Sequence, residues 1–260
     1  MPPDLLHLAL LQTSLYWENP NENLISLSQK IDALPEQVQL VVLPEMFTSG
    51  FTMNPAAVAE NMHGKSIEWM RKTAMKKQLA LVGSLVIAEN NQYFNRLVFV
   101  HPSGKMEQYD KRHLFTLAGE NKVYTSGKER LIVNYNGWRI CPLVCYDLRF
   151  PVWSRNTEAY DLLIYVANWP KPRMDAWDAL LKARAIENMS YVAGVNRVGI
   201  DGNKHEYSGH SAVYDALGRI VVAPQIDEEK IVSAVLDKKS LQTNREKLKF
   251  LEDQDAFSLK

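Results

Sequence analysis

The sequence predicts an α/β fold in which two mixed sheets pack face to face with helices on the outside. Strand-like and helix-like segments alternate along the chain, and several strands arrive in pairs around tight turns. The absence of a low-complexity linker, a fixed-period repeat or a composition shift argues for one domain over residues 1–260.

Residues 5–12 form a short, leucine-rich strand, after which Asn19, Pro20 and Asn21 carry helix-start chemistry. Leu24, Leu27, Ile31 and Leu34 then recur at helical spacing, and residues 38–43 form an apolar strand that stops at Pro44 and Glu45. This β-α-β order is typical of sheets covered by helices. A polar helix over 66–78 leads into strands at 79–88 and 94–100, separated by Glu89, Asn90 and Asn91 as in a hairpin. Pro102, Ser103 and Gly104 make a turn, and residues 134–137 separate strands at 131–135 and 138–144. A bounded apolar strand at 161–167, a helix over 173–189, and strands at 191–195, 211–214 and 231–236 close the series.

Apolar residues make up 46% of the chain and charged residues 23%, the balance of a globular protein with a sizeable core. Thirty basic and thirty acidic side chains cancel, so no global field draws the chain to nucleic acid or an anionic membrane, and a small-molecule partner is expected. The first 15 residues lack the basic start and cleavage site of a signal peptide, and no apolar run approaches the roughly 20 residues that span a bilayer. A cytoplasmic location is the resulting expectation.

The two cysteines, Cys141 and Cys145, are too few for a disulfide framework and lack the second pair of a structural zinc site. Free cysteine is often simply core, and that is the plain alternative for both. Three polar residues stand where apolar strands end: Glu45 after residues 41–44, Lys111 after 108–110, and Cys145 after 142–144. Strand ends are where α/β folds place their sites. A carboxylate, an ammonium and a thiol brought together provide a proton acceptor, positive charge for an oxyanion, and a nucleophile, the requirements of acyl transfer. Taken singly, Glu45 can equally cap a segment and Lys111 lie on a solvated face. A thiol–histidine pair using His113 or His210 is the competing nucleophilic arrangement, and zinc is disfavoured because no ligands share a helix face at metal-site spacing.

The segments in order resemble the nitrilase superfamily of carbon–nitrogen hydrolases. Leu43-Pro44-Glu45-Met46-Phe47 is similar to its first motif, Asp110-Lys111-Arg112-His113-Leu114-Phe115 to its second, and Val144-Cys145-Tyr146-Asp147-Leu148-Arg149-Phe150-Pro151 to its third. Ala167-Asn168-Trp169-Pro170, the stretch over 182–188, Asn196-Arg197 and Gly209-His210-Ser211 agree as well. The resemblance implies a four-layer α-β-β-α sandwich, with Glu45 as general base, Lys111 as electrostatic stabiliser, Cys145 as nucleophile and Glu120 as a second glutamate beside the lysine. It implies no metal and no cofactor, a substrate site drawing on Tyr146, Arg149, Phe47, Asn168 and Trp169, and a homodimer. The third motif looks most like the omega-amidase branch, which hydrolyses the terminal amide of 2-oxoacid amides, although Val152-Trp153 replaces a common Glu-Leu pair. Within the planar reach of its guanidinium, Arg149 is expected to grip a substrate carboxylate or to pair internally with Asp147. The alternatives are a relative acting on a nitrile, a carbamoyl amine or another amide, and a non-catalytic binding protein on the same fold.

Overall fold

A computed structural model describes residues 4–258; the outermost ends of the expected domain, 1–3 and 259–260, lie outside the described residues. The first sheet contains β1 (Leu5–Gln12), β2 (Leu40–Val42), β3 (Ala80–Glu89), β4 (Gln92–Val100), β5 (Met106–Asp110) and β13 (Lys230–Asp237), in the order β13-β1-β2-β3-β4-β5. The second contains β6 (Val133–Tyr135), β7 (Trp138–Val144), β8 (Leu162–Ala167), β9 (Tyr191–Asn196), β10 (Val198–Ile200) and β11 (Glu206–Tyr214), in the order β10-β11-β9-β8-β7-β6, with β12 (Ile220–Ile226) also paired to β11. Parallel ladders join β1 to β2, β2 to β3, β7 to β8 and β8 to β9; the other pairs are antiparallel. Both sheets are mixed, as expected.

The period of two in β1 shows how the layers form. Leu6, Leu8 and Leu10 enter the core between the sheets, where they join Ile140, Ile164 and Ala193 of the second sheet. Ala9 and Leu11 face the other way, into a core with Val41, Leu43 and Leu81 beneath α1 (Pro20–Asp32) and α2 (Lys65–Lys77). Burial on both faces makes such a strand a continuous apolar run rather than an alternating one. On α1 the predicted Leu24, Leu27 and Ile31 are the buried stripe, and the Asn19 side chain caps the first turn by accepting the Glu22 N–H at 3.3 Å. Against the second sheet lies α3 (Met174–Asn188), with Trp177, Leu181 and Ala185 buried. Gly194 lets it approach: a Cβ there would stand 2.5 Å from Leu181 Cδ1.

Several predicted boundaries shift. The helix expected from residue 173 begins at Met174 after a 3₁₀ turn at Lys171–Arg173, and β11 starts at Glu206 rather than 211. Neither β12, mostly exposed, nor α4 (Lys238–Leu248), with only Leu241 buried, was anticipated. Among the described residues no helix is long and apolar enough to cross a membrane.

Candidate active site

Glu45 is delivered by the end of β2. The Leu43 N–H donates to Val82 O at 2.7 Å, and the chain then turns sharply at Met46, whose φ of 43° lies in the left-handed region. The Met46 N–H donates to Ser84 Oγ at 2.9 Å and the Phe47 N–H to Ser84 O at 3.0 Å, fixing the turn to β3. Lys111 follows β5, with its N–H held by Asn95 O of β4 at 3.0 Å. Its ammonium donates to Glu45 Oε1 at 2.9 Å and to Glu120 Oε2 at 2.9 Å. Glu120 begins a single helical turn, Glu120–Val123, and accepts the Phe115 N–H. Sequence reading missed Asn95, whose amide donates to Glu45 Oε1 at 2.8 Å and Glu120 Oε1 at 3.3 Å. The only signal was an amide inside an apolar strand segment. Glu45, Glu120 and Asn95 are 0% exposed and Lys111 is 1% exposed.

Cys145 stands where β7 gives way to a 3₁₀ turn, Cys145–Arg149, and its φ is 44°. Such a strained strand-to-helix elbow projects a nucleophile clear of the sheet. Asp147 anchors it, accepting from the Val144 N–H at 3.1 Å, Tyr109 Oη at 2.7 Å and the His113 N–H at 3.0 Å. From α3, Arg184 Nη2 reaches Leu148 O at 2.6 Å. The second sheet also meets Glu45 directly: the Asn168 N–H donates to Glu45 Oε2 at 2.8 Å and Asn168 Nδ2 to Glu45 O at 2.6 Å, while Asn168 O lies 4.0 Å from Cys145 Sγ.

Burial pushes the Cys145 thiol well above its ordinary pKa, and the neighbouring Glu45 carboxylate adds to the effect against the pull of Lys111. Burial opposes the ammonium of Lys111, but Glu120 and Glu45 outweigh it and hold its pKa above the usual lysine value. Burial, followed by repulsion from Glu45, raises Glu120 despite attraction to Lys111. Cys141 is pushed up to about 12 by burial and lies on the other face of the second sheet, in the core under its outer layer. The two histidines weighed as bases are engaged elsewhere, His113 Nδ1 with Asp147 at 2.8 Å and His210 Nδ1 with Asp178 at 2.9 Å.

Lys111 and Cys145 line a cavity of about 310 Å³, at the small end of the roughly 300–1,000 Å³ typical of ligand pockets. Tyr146, Arg149, Asn168 and Trp169 line it too, so the structure brings these predicted residues together. Phe47 is the correction. It is wholly buried beneath β3, against Leu43 and Leu81 and 5.9 Å from the Trp69 ring, because the turn at Met46 sends successive side chains to opposite sides. Phe51 lines the cavity instead, with the Lys111 ammonium 5.1 Å from its ring centroid. Arg149 does not pair with Asp147: its guanidinium lies 4.9 Å from the Trp169 ring centroid and has no carboxylate partner among the described residues. Phe115 and Arg173, which sequence reading did not single out, complete the wall. Among the described residues no three His, Cys, Asp or Glu side chains are grouped as a metal centre requires.

The carbon-nitrogen hydrolase family profile matches residues 7–246. The chain belongs to that family. It is 45% identical over 256 residues to omega-amidase YafV of Yersinia enterocolitica, covering 98% of each chain, and 33% identical over 251 residues to the 2-oxoglutaramate amidase of Bacillus subtilis, covering 95% and 96%. In structure it is similar to XC1258 of Xanthomonas campestris, a CN-hydrolase superfamily protein with an arsenic adduct in its active site. The TM-score is 0.96 and the identity 42%, covering 98% of this chain and 99% of that one. The expected superfamily, omega-amidase branch and sandwich fold are borne out, and the chain is a hydrolase of non-peptide carbon–nitrogen bonds.

The raised thiol sets a pH dependence. A free thiol titrates near pH 8.5, whereas burial, followed by Glu45, raises the Cys145 thiol well above its ordinary value. A profile of kcat/KM against pH is therefore expected to show no inflection near about 8.5; a clear rise there would mean that a preformed thiolate is the reactive species.

Proposed function

We propose that the chain is an omega-amidase, hydrolysing the terminal amide of a small 2-oxoacid amide such as 2-oxoglutaramate or 2-oxosuccinamate through a thioester on Cys145. The observation that carries the reading is Arg149, a half-buried guanidinium without a carboxylate partner in the same small cavity as Cys145. A charge left unpaired at a cavity wall is suited to a substrate carboxylate, and the relatives named for omega-amide and 2-oxoglutaramate hydrolysis add support.

In this reading Glu45 takes the Cys145 proton as sulfur attacks the amide carbon, and the tetrahedral oxyanion forms against Lys111 and the Tyr146 N–H. Glu45 returns the proton to the leaving nitrogen, and ammonia departs. Water enters, the same carboxylate activates it, and hydrolysis of the thioester releases the acid and restores the thiol. Glu120 holds Lys111 in line, and Asn168 fixes both the Glu45 carboxylate and its backbone. The chain acts as a single hydrolase domain, in the cytoplasm, and as a homodimer. Val152 and Ile186, 53% and 46% exposed, offer apolar contacts for such an interface.

Cys145→Ala is expected to leave a folded, inactive protein and Cys141→Ala to keep most activity; equal loss from both would defeat the assignment. Removing a hydrogen bond to a charged group costs about 1.5–3 kcal/mol, so Arg149→Ala is expected to lower kcat/KM for 2-oxoglutaramate roughly 10- to 150-fold. Propionamide, which lacks the carboxylate, should change little, and equal losses on both substrates would make Arg149 structural. Sedimentation at micromolar concentration is expected to give twice the chain mass, and a monomeric mass would rule out the dimer.

A further inference from the structure

Arg173 is the other guanidinium on the cavity wall, and the hydrolysis described above leaves it without a task. It closes the 3₁₀ turn Lys171–Arg173, where its carbonyl accepts the Trp169 Nε1–H at 2.8 Å. Its guanidinium lies 5.0 Å from the Phe115 ring centroid and, among the described residues, has neither a carboxylate nor a hydrogen-bond acceptor. The contrast with other arginines is clear: Arg96, Arg130, Arg184 and Arg245 each reach a carboxylate at 3.1 Å or less. Arg149 and Arg173 instead each rest on an aromatic face, and their walls are joined by the Trp169–Arg173 hydrogen bond.

The other charges at the cavity do not cancel this pair. Lys111 is matched by Glu45 and Glu120 at the floor. Asp201 at the rim already accepts the Asn203 and His205 N–H groups and the Tyr207 hydroxyl. His205 stands beside Asp201 at 3.4 Å and is largely exposed. The cavity wall thus presents Arg149 and Arg173 without carboxylate partners, beside a Lys111 already bound by two carboxylates and an Asp201 already engaged by three donors.

We propose that Arg173 is a second specificity-determining residue, which together with Arg149 grips the carboxylate and adjacent 2-oxo oxygen of the substrate and rejects the same amide carrying an ammonium at C2. The proposal rests on the 2-oxoacid amide reading. A 2-oxoacid presents three acceptor oxygens side by side, which suits two planar donor forks approaching together. An amide of a 2-amino acid replaces one of those acceptors with a cation, which would face two guanidinium groups and find no acceptor between them. The chemistry therefore separates 2-oxoglutaramate from L-glutamine, two amides of the same length.

The competing role is packing: Arg173 braces Phe115, whose N–H holds Glu120, and so could position the catalytic cluster without touching substrate. Steady-state kinetics of wild type, Arg173→Ala and Arg173→Lys on 2-oxoglutaramate, L-glutamine and propionamide separate the two. Arg173→Ala is expected to lower kcat/KM for 2-oxoglutaramate about 10- to 150-fold, mainly through KM, with partial recovery in Arg173→Lys. L-glutamine should fall far less, since losing the cation also removes a repulsion, and propionamide should hardly change, so the preference for the 2-oxo amide shrinks. An equal loss on all three substrates, or an unchanged preference, would overturn the proposal and leave the omega-amidase reading intact. A wild-type enzyme with no preference for 2-oxoglutaramate over propionamide would instead bring down that reading, and this proposal with it.

Discussion

Two carboxylates and an ammonium shut away from water are the constraint on which this structure turns. Moving an ion into a protein interior costs several kcal/mol after relaxation, and mutual attraction offsets this only when the remaining hydrogen-bonding capacity is also met. Here the Lys111 ammonium bonds both Glu45 and Glu120, and Asn95 bonds the same two carboxylates. The Asn168 and Phe115 N–H groups take further oxygens. These donors come from β4, from the end of β8 on the opposite sheet and from the loop before Glu120. The cluster can be buried only if both sheets are in register and in contact, so correct assembly of the sandwich and correct assembly of the charges are one event.

Cys145 belongs to a second, separate network. Asp147 ties the elbow to Tyr109 of β5 and to His113 of the loop that follows it, and Trp153 Nε1 adds a 3.0 Å hydrogen bond to Tyr109 Oη. His113 is therefore a strut, stacked on Phe150 with centroids 3.7 Å apart, rather than a base for the thiol. This division places carboxylates beside the thiol and ties the His113 imidazole to Asp147. It also agrees with a thiol whose pKa is raised first by burial and then by the Glu45 carboxylate.

Much of this was legible in the sequence, for identifiable reasons. The inner strands β1, β2, β3, β7 and β8 are buried on both faces, so they read as unbroken apolar runs with sharp ends, and Glu45 and Cys145, just past two of them, stood out. The edge strand β12 and helix α4 carry few buried residues, and local periodicity had little to register. Motif order located Glu45, Lys111, Cys145 and Glu120, but motif membership does not report the direction of a side chain. Phe47 lies next to a residue of left-handed backbone, and that turn reversed its expected facing. Asn95 and Arg173 escaped notice because their roles arise between elements distant in sequence: an amide poised between two glutamates, and a guanidinium that finds an aromatic ring but no acid.

The backbone at Cys145 sets stability against chemistry at one residue. At φ 44° an ordinary L-residue sits in a conformation that costs on the order of 1–2 kcal/mol, and glycine is the residue that would occupy it freely. Glycine carries no sulfur. Glycine here would relieve the strain only by removing the sulfur, so the strain is the local cost of carrying a side chain at this elbow. Where Cys145 is retained, the surrounding sandwich must supply a margin large enough to hold the elbow bent, and a bent elbow in an otherwise regular sheet is itself a sign that the sheet serves something besides its own stability.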